Sequence, residues 1–386
     1  MSIPAPAVRR VSAPPILRQP FRPLFLCAAL SASLGIFAWA LFLHMGLLPA
    51  SSLPPLAWHG HELLFGFAGA LVAGFLLTAV AEWTKLATFK PASLVLLVAV
   101  WLAARVLFLL PAHVPYALTA FLDCAFFGLL LLMVARPILK SRNRRNYFVI
   151  ALLSAFTLAD VAFHLSVAGV IHVAERSVLY WMIDLFTVLM LSIGGRVIPF
   201  FTARRLSNAS VHRYRWLDWS VNGGAAILVL LDIILPRSAT LAAVSLAVAL
   251  LVLLRGWLWQ PWKTWREPML WILHLGYLWL AAGLALRSAA LLSSALPEIT
   301  ALHAITVGAL GSLSIGMMTR VALGHSGRAM AAGPFMAAAF ALVSVAAVLR
   351  LINTPGLLPV AGVLWALAFA IYFLRFLPVM LAPRLG

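Results

Sequence analysis

The residues of this sequence that are best suited to chemistry are histidines, arginines and carboxylates placed inside or beside long apolar segments. Two histidines and a glutamate open one such segment, at residues 58–62 (WHGHE). Further polar residues within apolar segments are His164, Arg196, His274, Arg287 and His303. Ionisable groups are costly inside a bilayer and commonly mark functional sites there. The pattern predicts a metal site built from histidines of several segments.

The elements that must position these residues are membrane-spanning helices. Of the 386 residues, 64% are hydrophobic and 10% are charged, whereas a soluble domain is about half apolar and a quarter charged. Apolar runs of about 20 residues recur along the whole chain, and the alternation typical of an outer-membrane barrel is absent. The sequence predicts an all-α integral membrane protein with about twelve transmembrane helices. The predicted spans are 22–48, 60–82, 92–112, 115–136, 147–171, 177–200, 216–235, 238–259, 268–292, 299–322, 332–351 and 357–381.

The basic residues predict the orientation of these spans. With the N-terminus inside, 22 of the 28 Lys and Arg residues fall on the cytoplasmic side, and only Arg176, Arg237 and Arg350 fall in outer loops or at outer helix ends. Because positive residues concentrate on the cytoplasmic side, both termini are expected there. Residues 1–21 are expected to be a cytosolic tail and 22–386 a single polytopic domain. The net charge of +18 reflects these segment ends, so membrane lipid rather than nucleic acid is the expected surrounding.

This topology places four histidines near the outer ends of their spans: His59, His61, His164 and His303. At a rise of about 1.5 Å per residue, they are expected within about 10 Å of one another in depth. His59 and His61 would chelate one ion only on an extended chain, since residues two apart on a helix point in different directions. Imidazole is a general ligand of haem iron and copper, so a metal or haem site is predicted here. Helix packing is the alternative role of any one of them.

Further candidates for cofactor binding lie on both sides of the membrane. His274 and His325 are expected on the inner side, where they form a candidate second metal site. Arg196 lies among Gly194, Gly195 and Pro199, which predict a loosened helix, and it is expected either to serve an inner haem or to reach the inner surface. Arg287 has no evident partner in the outer quarter of its span. Its guanidinium is a candidate clamp for a haem propionate, because it binds carboxylates through two hydrogen bonds.

The carboxylates inside the spans suggest ion pairing and proton transfer. Arg105 and Asp123 lie at matching depths, which predicts an ion pair. Asp160 and Asp184 lie in the middle of their segments, and buried carboxylates often relay protons. Glu62 is the candidate catalytic residue: it would either deliver protons to an outer metal site or orient a ligating imidazole. Spacing alone does not choose between these two roles.

Several stretches, in order along the chain, carry a family resemblance. They are 21–26 (FRPLFL), 58–62 (WHGHE), 65–67 (FGF), 73–79 (AGFLLTA), 195–204 (GRVIPFFTAR), 273–277 (LHLGY), 303–309 (HAITVGA) and 320–328 (RVALGHSGR). With these stretches the chain resembles the NnrS family of bacterial inner-membrane proteins. One departure is Ala81-Glu82-Trp83, where Pro-Asn-Trp is expected, and it affects none of the candidate ligands.

The resemblance implies a multi-pass protein of the bacterial inner membrane that contains haem and copper and is linked to nitric oxide, nitrosative stress and denitrification. The first hypothesis is a redox enzyme of the nitric oxide reductase type, with an outer haem b held by histidines and a second, inner haem that feeds electrons. Reduction of two nitric oxide molecules to nitrous oxide and water needs two electrons and two protons. The sequence does not identify the electron donor. The alternatives are a copper or haem transporter or metal-insertion protein, and a nitric oxide sensor.

Overall fold

Twelve long helices make up the part of the chain that the structure describes. The computed structural model describes residues 13–111 and 113–385, so the first twelve residues of the predicted tail lie outside the described residues. No strand occurs in this described part. The helices α1 to α12 are Phe21–Met45, Pro55–Thr84, Pro91–Phe108, Tyr116–Lys140, Arg144–Val167, Glu175–Arg205, Arg215–Ile234, Ala239–Trp257, Pro268–Leu292, Glu298–His325, Gly333–Ile352 and Leu357–Leu381. All are long and apolar enough to cross a membrane, which confirms the predicted fold class.

The ends of the helices follow local chemistry. Proline lies in the first turn of α2, α3 and α9, where its missing N–H costs no hydrogen bond. Gly46 ends α1 in the left-handed conformation, with φ of 72°, which glycine adopts without steric cost. The N-terminal ends of α2, α6, α10 and α12 meet around one cavity, and we call this end of the bundle the predicted outer end.

The loosened helix predicted around Arg196 is wrong. Helix α6 continues without a break from Glu175 to Arg205 and includes Pro199. Water is absent from the hydrocarbon region, so backbone groups freed by an opened turn would lack partners there. Thr202 stabilises this stretch, since its hydroxyl donates to the carbonyl of Ile198 at 2.9 Å.

Three helices form the centre of the bundle. Helices α2, α6 and α10 have the largest buried fraction of the twelve, and each packs against the other two. The remaining helices surround them, and α1 packs along α12 to close the ring. A small apolar cavity of about 80 Å³ lies between the central helices, with Phe186, Leu313 and Met317 among its lining residues. The candidate histidines of α2 and α10 therefore belong to the most enclosed part of the molecule.

Two of the central helices change their winding beside these histidines. In α2 a π-helical segment, Glu62–Phe67, follows His61 directly, and in α10 the segment Ala304–Leu310 follows His303. Segments of π-helix are rare and are frequently found at functional sites. In α2 the wider turn presents the carbonyl of Gly66 to Trp101, whose Nε1 donates to it at 3.0 Å. The winding thus marks the same two positions as the sequence motifs.

Candidate functional site

The four outer histidines form two pairs rather than one group. Helix α2 has already begun at Pro55, so the extended arrangement in which His59 and His61 chelate one ion is absent. His61 lies beside His164, with ring centroids 5.4 Å apart. His59 and His303 instead line one cavity. The structure therefore presents two candidate sites, which lie on different sides of α2.

The larger site is a cavity of about 900 Å³ near the predicted outer end, which we call the outer cavity. Its walls come from all three central helices together with α1, α9, α11 and α12. Most of the lining is apolar, and the large side chains include Trp39, Phe67, Tyr180, Leu310 and Trp365. Cavities of about 300–1,000 Å³ with apolar walls and a few polar groups are typical of small-molecule and cofactor sites.

Both histidines of the outer cavity have a ring nitrogen without a protein partner. The Nδ1–H of His303 donates to the carbonyl of Ile299 at 2.7 Å, so the neutral ring carries its lone pair on Nε2. His59 stacks on Trp39 with centroids 4.3 Å apart. Its Nδ1 is buried and has no hydrogen-bond partner among the described residues. Histidines that ligate metals commonly donate their other N–H to a backbone carbonyl in the way that His303 does.

Guanidinium groups also line the outer cavity, and sequence reasoning missed their role. The three basic residues predicted on the outer side, Arg176, Arg237 and Arg350, all line it. Glu298 accepts from Arg237 at 2.9 and 3.2 Å, and this hydrogen-bonded pair raises the pKa of Arg237. Arg350 donates to Asn353 at 2.8 Å. Three arginines against one glutamate leave a formal excess of two positive charges. The sequence did contain a signal for this role, because basic residues are unusual on the outer side of a membrane protein and these three lie there.

The second site is a group of polar side chains from α2 to α5, all buried except for a half-buried tyrosine, which we call the polar cluster. Its members are His61, Glu62, Arg105, Tyr116, Asp123, Asp160 and His164. Asp160 and His164 lie one turn apart on α5, and the other residues come from three further helices. The ligand atoms of both histidines and both aspartates lie within 4.8 Å of one another, as a metal ion requires. Asp160 was noted in the sequence only as a mid-segment carboxylate.

The predicted ion pair of Arg105 and Asp123 is confirmed inside this cluster. Glu62 also belongs to it: its carboxylate accepts from His61 Nδ1 at 3.2 Å and lies 3.4 Å from Arg105 Nε. Glu62 thus lies on the side of His61 rather than on that of His59, at the point where the π-helical segment begins. Its position matches the second role considered for it, the orientation of an imidazole. Its role as a proton donor stays a prediction.

Arg287 differs from its sequence-based description, because it has two partners. It donates to Asp184 of α6 at 2.6 Å and lies 2.7 Å from Asp232 of α7. The expectation that Arg287 lacks a partner is wrong, since Asp232 lies near the end of its span and was not considered. Arg287 lines a second cavity of about 500 Å³, which shares Arg237 with the outer cavity. Binding of a haem propionate by Arg287 stays a prediction.

The inner-side candidates have separate surroundings. The hydroxyl of Thr202 donates to a backbone carbonyl, so it accepts from Nε2 of His274 at 2.8 Å. His325 packs on Phe21, with ring centroids 5.6 Å apart. Arg196 donates to Asn146 at 2.8 Å. None of the three cavities above is lined by these residues, and an inner haem stays a prediction.

Both candidate sites lie in a region that matches a known protein family. The chain matches the family model described as NnrS protein over residues 15–384. No curated protein matches the chain. The matched region contains all twelve helices, the outer cavity and the polar cluster.

Proposed function

Since the chain belongs to the NnrS family, and is thus a nitric oxide-related membrane protein, we propose that it protects against nitric oxide by redox chemistry at a haem b in the outer cavity. The observation that carries this proposal is the combination of two imidazoles, apolar walls and an excess of positive charge in one cavity of about 900 Å³. We place this cavity on the outer side of the bacterial inner membrane.

The histidines of the outer cavity fit haem iron. His303 would hold the iron, because its Nδ1–H is fixed on Ile299 and its Nε2 lone pair is free. His59 lines the same cavity, and its unpartnered Nδ1 and stacking on Trp39 leave its ring without a hydrogen bond to fix it. A weakly fixed second imidazole supports a binding position that a small gas molecule can enter.

The charges of the outer cavity fit the acidic groups of haem. A haem carries two propionates, and the three arginines and Glu298 leave two positive charges in excess. Guanidinium groups bind carboxylates through paired hydrogen bonds. Arg176 and Arg350 have no carboxylate partner among the described residues, whereas Arg237 is paired with Glu298. The first two are therefore the stronger candidates for the propionates.

A bound haem supplies an iron that takes nitric oxide as a ligand and exchanges single electrons with it. The protein contributes the surroundings of that iron. Side chains such as Leu63, Phe67 and Leu310 make the walls of the cavity apolar. Glu62, the candidate proton donor, does not line the cavity, and the carboxylate that does, Glu298, is paired with Arg237. The electrons come from a one-electron donor outside the chain.

Tight retention of a cofactor distinguishes this proposal from transport. The small cavity between the central helices is lined almost entirely by apolar side chains, and none of its lining residues is a histidine or a carboxylate. A pathway for copper or haem would place such ligands along the middle of the membrane. Copper and a second haem, which the family resemblance implies, stay predictions, as does a sensor role.

Absorption spectra of the purified protein, oxidised and dithionite-reduced, with and without nitric oxide, test the proposal. We expect b-type bands in the reduced protein and a shift of these bands with nitric oxide. His303→Gln is expected to lose most of the haem, as measured by pyridine haemochrome. His172→Gln is the matched control, because His172 lies in an exposed loop before α6 and does not line the cavity.

Three results would overturn the proposal. Correctly folded protein that contains no haem would show that haem b is not its cofactor. Full haem content with unchanged bands in His303→Gln would place the haem elsewhere. Bands that ignore nitric oxide would contradict chemistry on the iron.

A further inference from the structure

We propose that the polar cluster is a second metal site, which binds a divalent transition-metal ion without haem. The four ligands are His61, Asp123, Asp160 and His164. The site lies beside the outer cavity but is separate from it, since His61 and His59 point to different sides of α2. The inference does not depend on haem in that cavity.

The donor atoms of the four ligands converge on one place. Nε2 of His61 lies 2.8 Å from Oδ2 of Asp123 and 3.9 Å from Oδ1 of Asp160. Nε2 of His164 lies 3.2 Å and 3.5 Å from the same two oxygens. Two imidazole nitrogens thus face the same pair of carboxylate oxygens. Such convergence from three helices is the arrangement of a coordination site.

Buried atoms without partners point to a missing ligand. Asp160 is 0% exposed, yet neither of its carboxylate oxygens has a neighbour in good hydrogen-bond geometry among the described residues, and the imidazole nitrogens nearest to Oδ1 lie 3.5 and 3.9 Å away. Nε2 of His61, which is also 0% exposed, lies 2.8 Å from Oδ2 of Asp123 but outside hydrogen-bond geometry with it or with any other described residue. A buried polar group without a partner costs about 1–3 kcal/mol, and more when it is charged. A cation coordinated by these atoms would satisfy all of them at once.

The Nδ1 atoms of His61 and His164, which face away from the four converging donor atoms, each have a hydrogen-bond partner, as is typical of histidines that ligate metals. Glu62 accepts from Nδ1 of His61 at 3.2 Å, which puts the proton on Nδ1 and leaves Nε2 as a donor to a metal. Tyr116 hydrogen-bonds Nδ1 of His164 at 2.7 Å. Partners of this kind fix the tautomer and the orientation of ligating imidazoles.

The charge of the cluster calls for a divalent cation. Three carboxylates, from Glu62, Asp123 and Asp160, face one guanidinium, that of Arg105, which leaves a formal excess of two negative charges. The phenyl rings of Phe65, Phe108 and Phe163 enclose His61 at centroid distances of 4.9, 5.0 and 4.7 Å. Uncompensated charge is strongly unfavourable in such apolar surroundings. One divalent ion would neutralise the cluster while both imidazoles stay neutral.

The donor set indicates the class of metal. Two imidazoles and two carboxylates, with no sulfur among them, suit divalent first-row ions such as iron(II), manganese(II) or zinc(II). A soft monovalent ion would prefer thiolate or thioether ligands. Asp160 and His164, one turn apart on α5, supply half of the donors from one helix face.

Elemental analysis of the purified protein tests this site. We expect one equivalent of divalent metal per chain beyond the iron that pyridine haemochrome assigns to haem. Asp160→Asn keeps the shape of the side chain and is expected to lower this metal at least tenfold. Asp232→Asn is the matched control: it also removes a buried carboxylate, but one that pairs with Arg287, and it should keep the metal.

A second measurement, titration with Co²⁺, tests the site even if a variant folds poorly or another metal is normally bound. Chelator-treated protein is titrated with Co²⁺, whose visible bands should appear in the parent protein and be absent from folded Asp160→Asn. Tyr116→Phe leaves all four ligands in place and should weaken Co²⁺ binding about 10- to 100-fold. Gel filtration and helical circular dichroism confirm that each variant is folded.

Three results would overturn the inference. The first is parent protein with neither non-haem metal nor cobalt bands, in which case the cluster is an ion-pair network with protonated imidazoles. The second is folded Asp160→Asn that retains full metal. The third is an unchanged cobalt affinity in Tyr116→Phe. Because haem is measured separately, failure of the haem proposal leaves the metal count interpretable, and the reverse also holds.

Discussion

Arg350 shows how a single residue of the outer cavity can be tested. Its guanidinium lines the cavity, and its hydrogen bond to Asn353 orients it without neutralising its charge. Hydrogen bonds to charged groups contribute about 1.5–3 kcal/mol. We therefore expect Arg350→Gln to weaken haem binding about 10- to 100-fold, as measured by the haem retained through washing and by titration with haem.

Two controls accompany this variant. Arg350→Lys keeps the charge but loses the planar fork, so its loss of haem should be smaller than that of Arg350→Gln. Lys140→Gln removes an exposed charge at the opposite end of the bundle and should change nothing. Equal haem affinity in the parent and in Arg350→Gln would show that this arginine does not contact the cofactor.

At the scale of residues, sequence reasoning finds charged groups but not always their partners. The pairing of Arg105 with Asp123 was predictable because both lie at one depth in consecutive spans. The pairing of Arg287 with Asp232 was not predictable in this way, since it joins α7 and α9, which are not consecutive in the sequence. The separation of His59 from His61 depended on whether a helix had already begun at Pro55, which spacing left open.

At the scale of elements, Arg287 joins three helices through its two carboxylate partners, Asp184 and Asp232. Removing one member of a buried ion pair costs about 3–5 kcal/mol, because the remaining charge stays buried without compensation. We expect Arg287→Met to lower the thermal unfolding midpoint in detergent markedly while folded protein keeps its haem. The triple variant with Asp184→Asn and Asp232→Asn should regain much of the loss.

The same variant decides between two roles of Arg287. If Arg287→Met lost haem but kept the unfolding midpoint of the parent, the arginine would be a propionate clamp, as the sequence suggested. A fall in the midpoint with full haem content would assign it to helix packing.

The number of helices was predictable, and their limits to within five residues, but their places in the bundle were not. Apolar runs of about 20 residues identify spans whether they face lipid or protein. Lipid tails are as apolar as a protein core, so hydropathy does not distinguish central from peripheral helices. The central helices α2, α6 and α10 recur at every fourth span, and a comparison of the two halves of the sequence does not show this spacing. The π-helical segments also carry no clear sequence signal.

At the scale of the whole molecule, both candidate sites lie at one end of the bundle. The outer cavity and the polar cluster use the beginning of α2, and they differ in sign of charge: arginines dominate the first and carboxylates the second. Because α2 separates the two sites and their charges are of opposite sign, one site suits an anionic cofactor and the other suits a cation. This arrangement makes the orientation of the bundle decisive for function.

The charge bias of the loops predicts that this end faces outward and that both termini are cytoplasmic. The test uses protein in which Cys27→Ala and Cys124→Ala remove both cysteines, with one new cysteine in a loop. His172→Cys lies in the loop before α6 at the predicted outer end, and Arg142→Cys lies between α4 and α5 at the opposite end. In spheroplasts, a membrane-impermeant maleimide should label the first directly and the second only after permeabilisation. The reverse pattern would place the outer cavity on the cytoplasmic side. Its three arginines would then count as ordinary cytoplasmic charges, and their presence in the cavity would lose its value as evidence for an anionic cofactor.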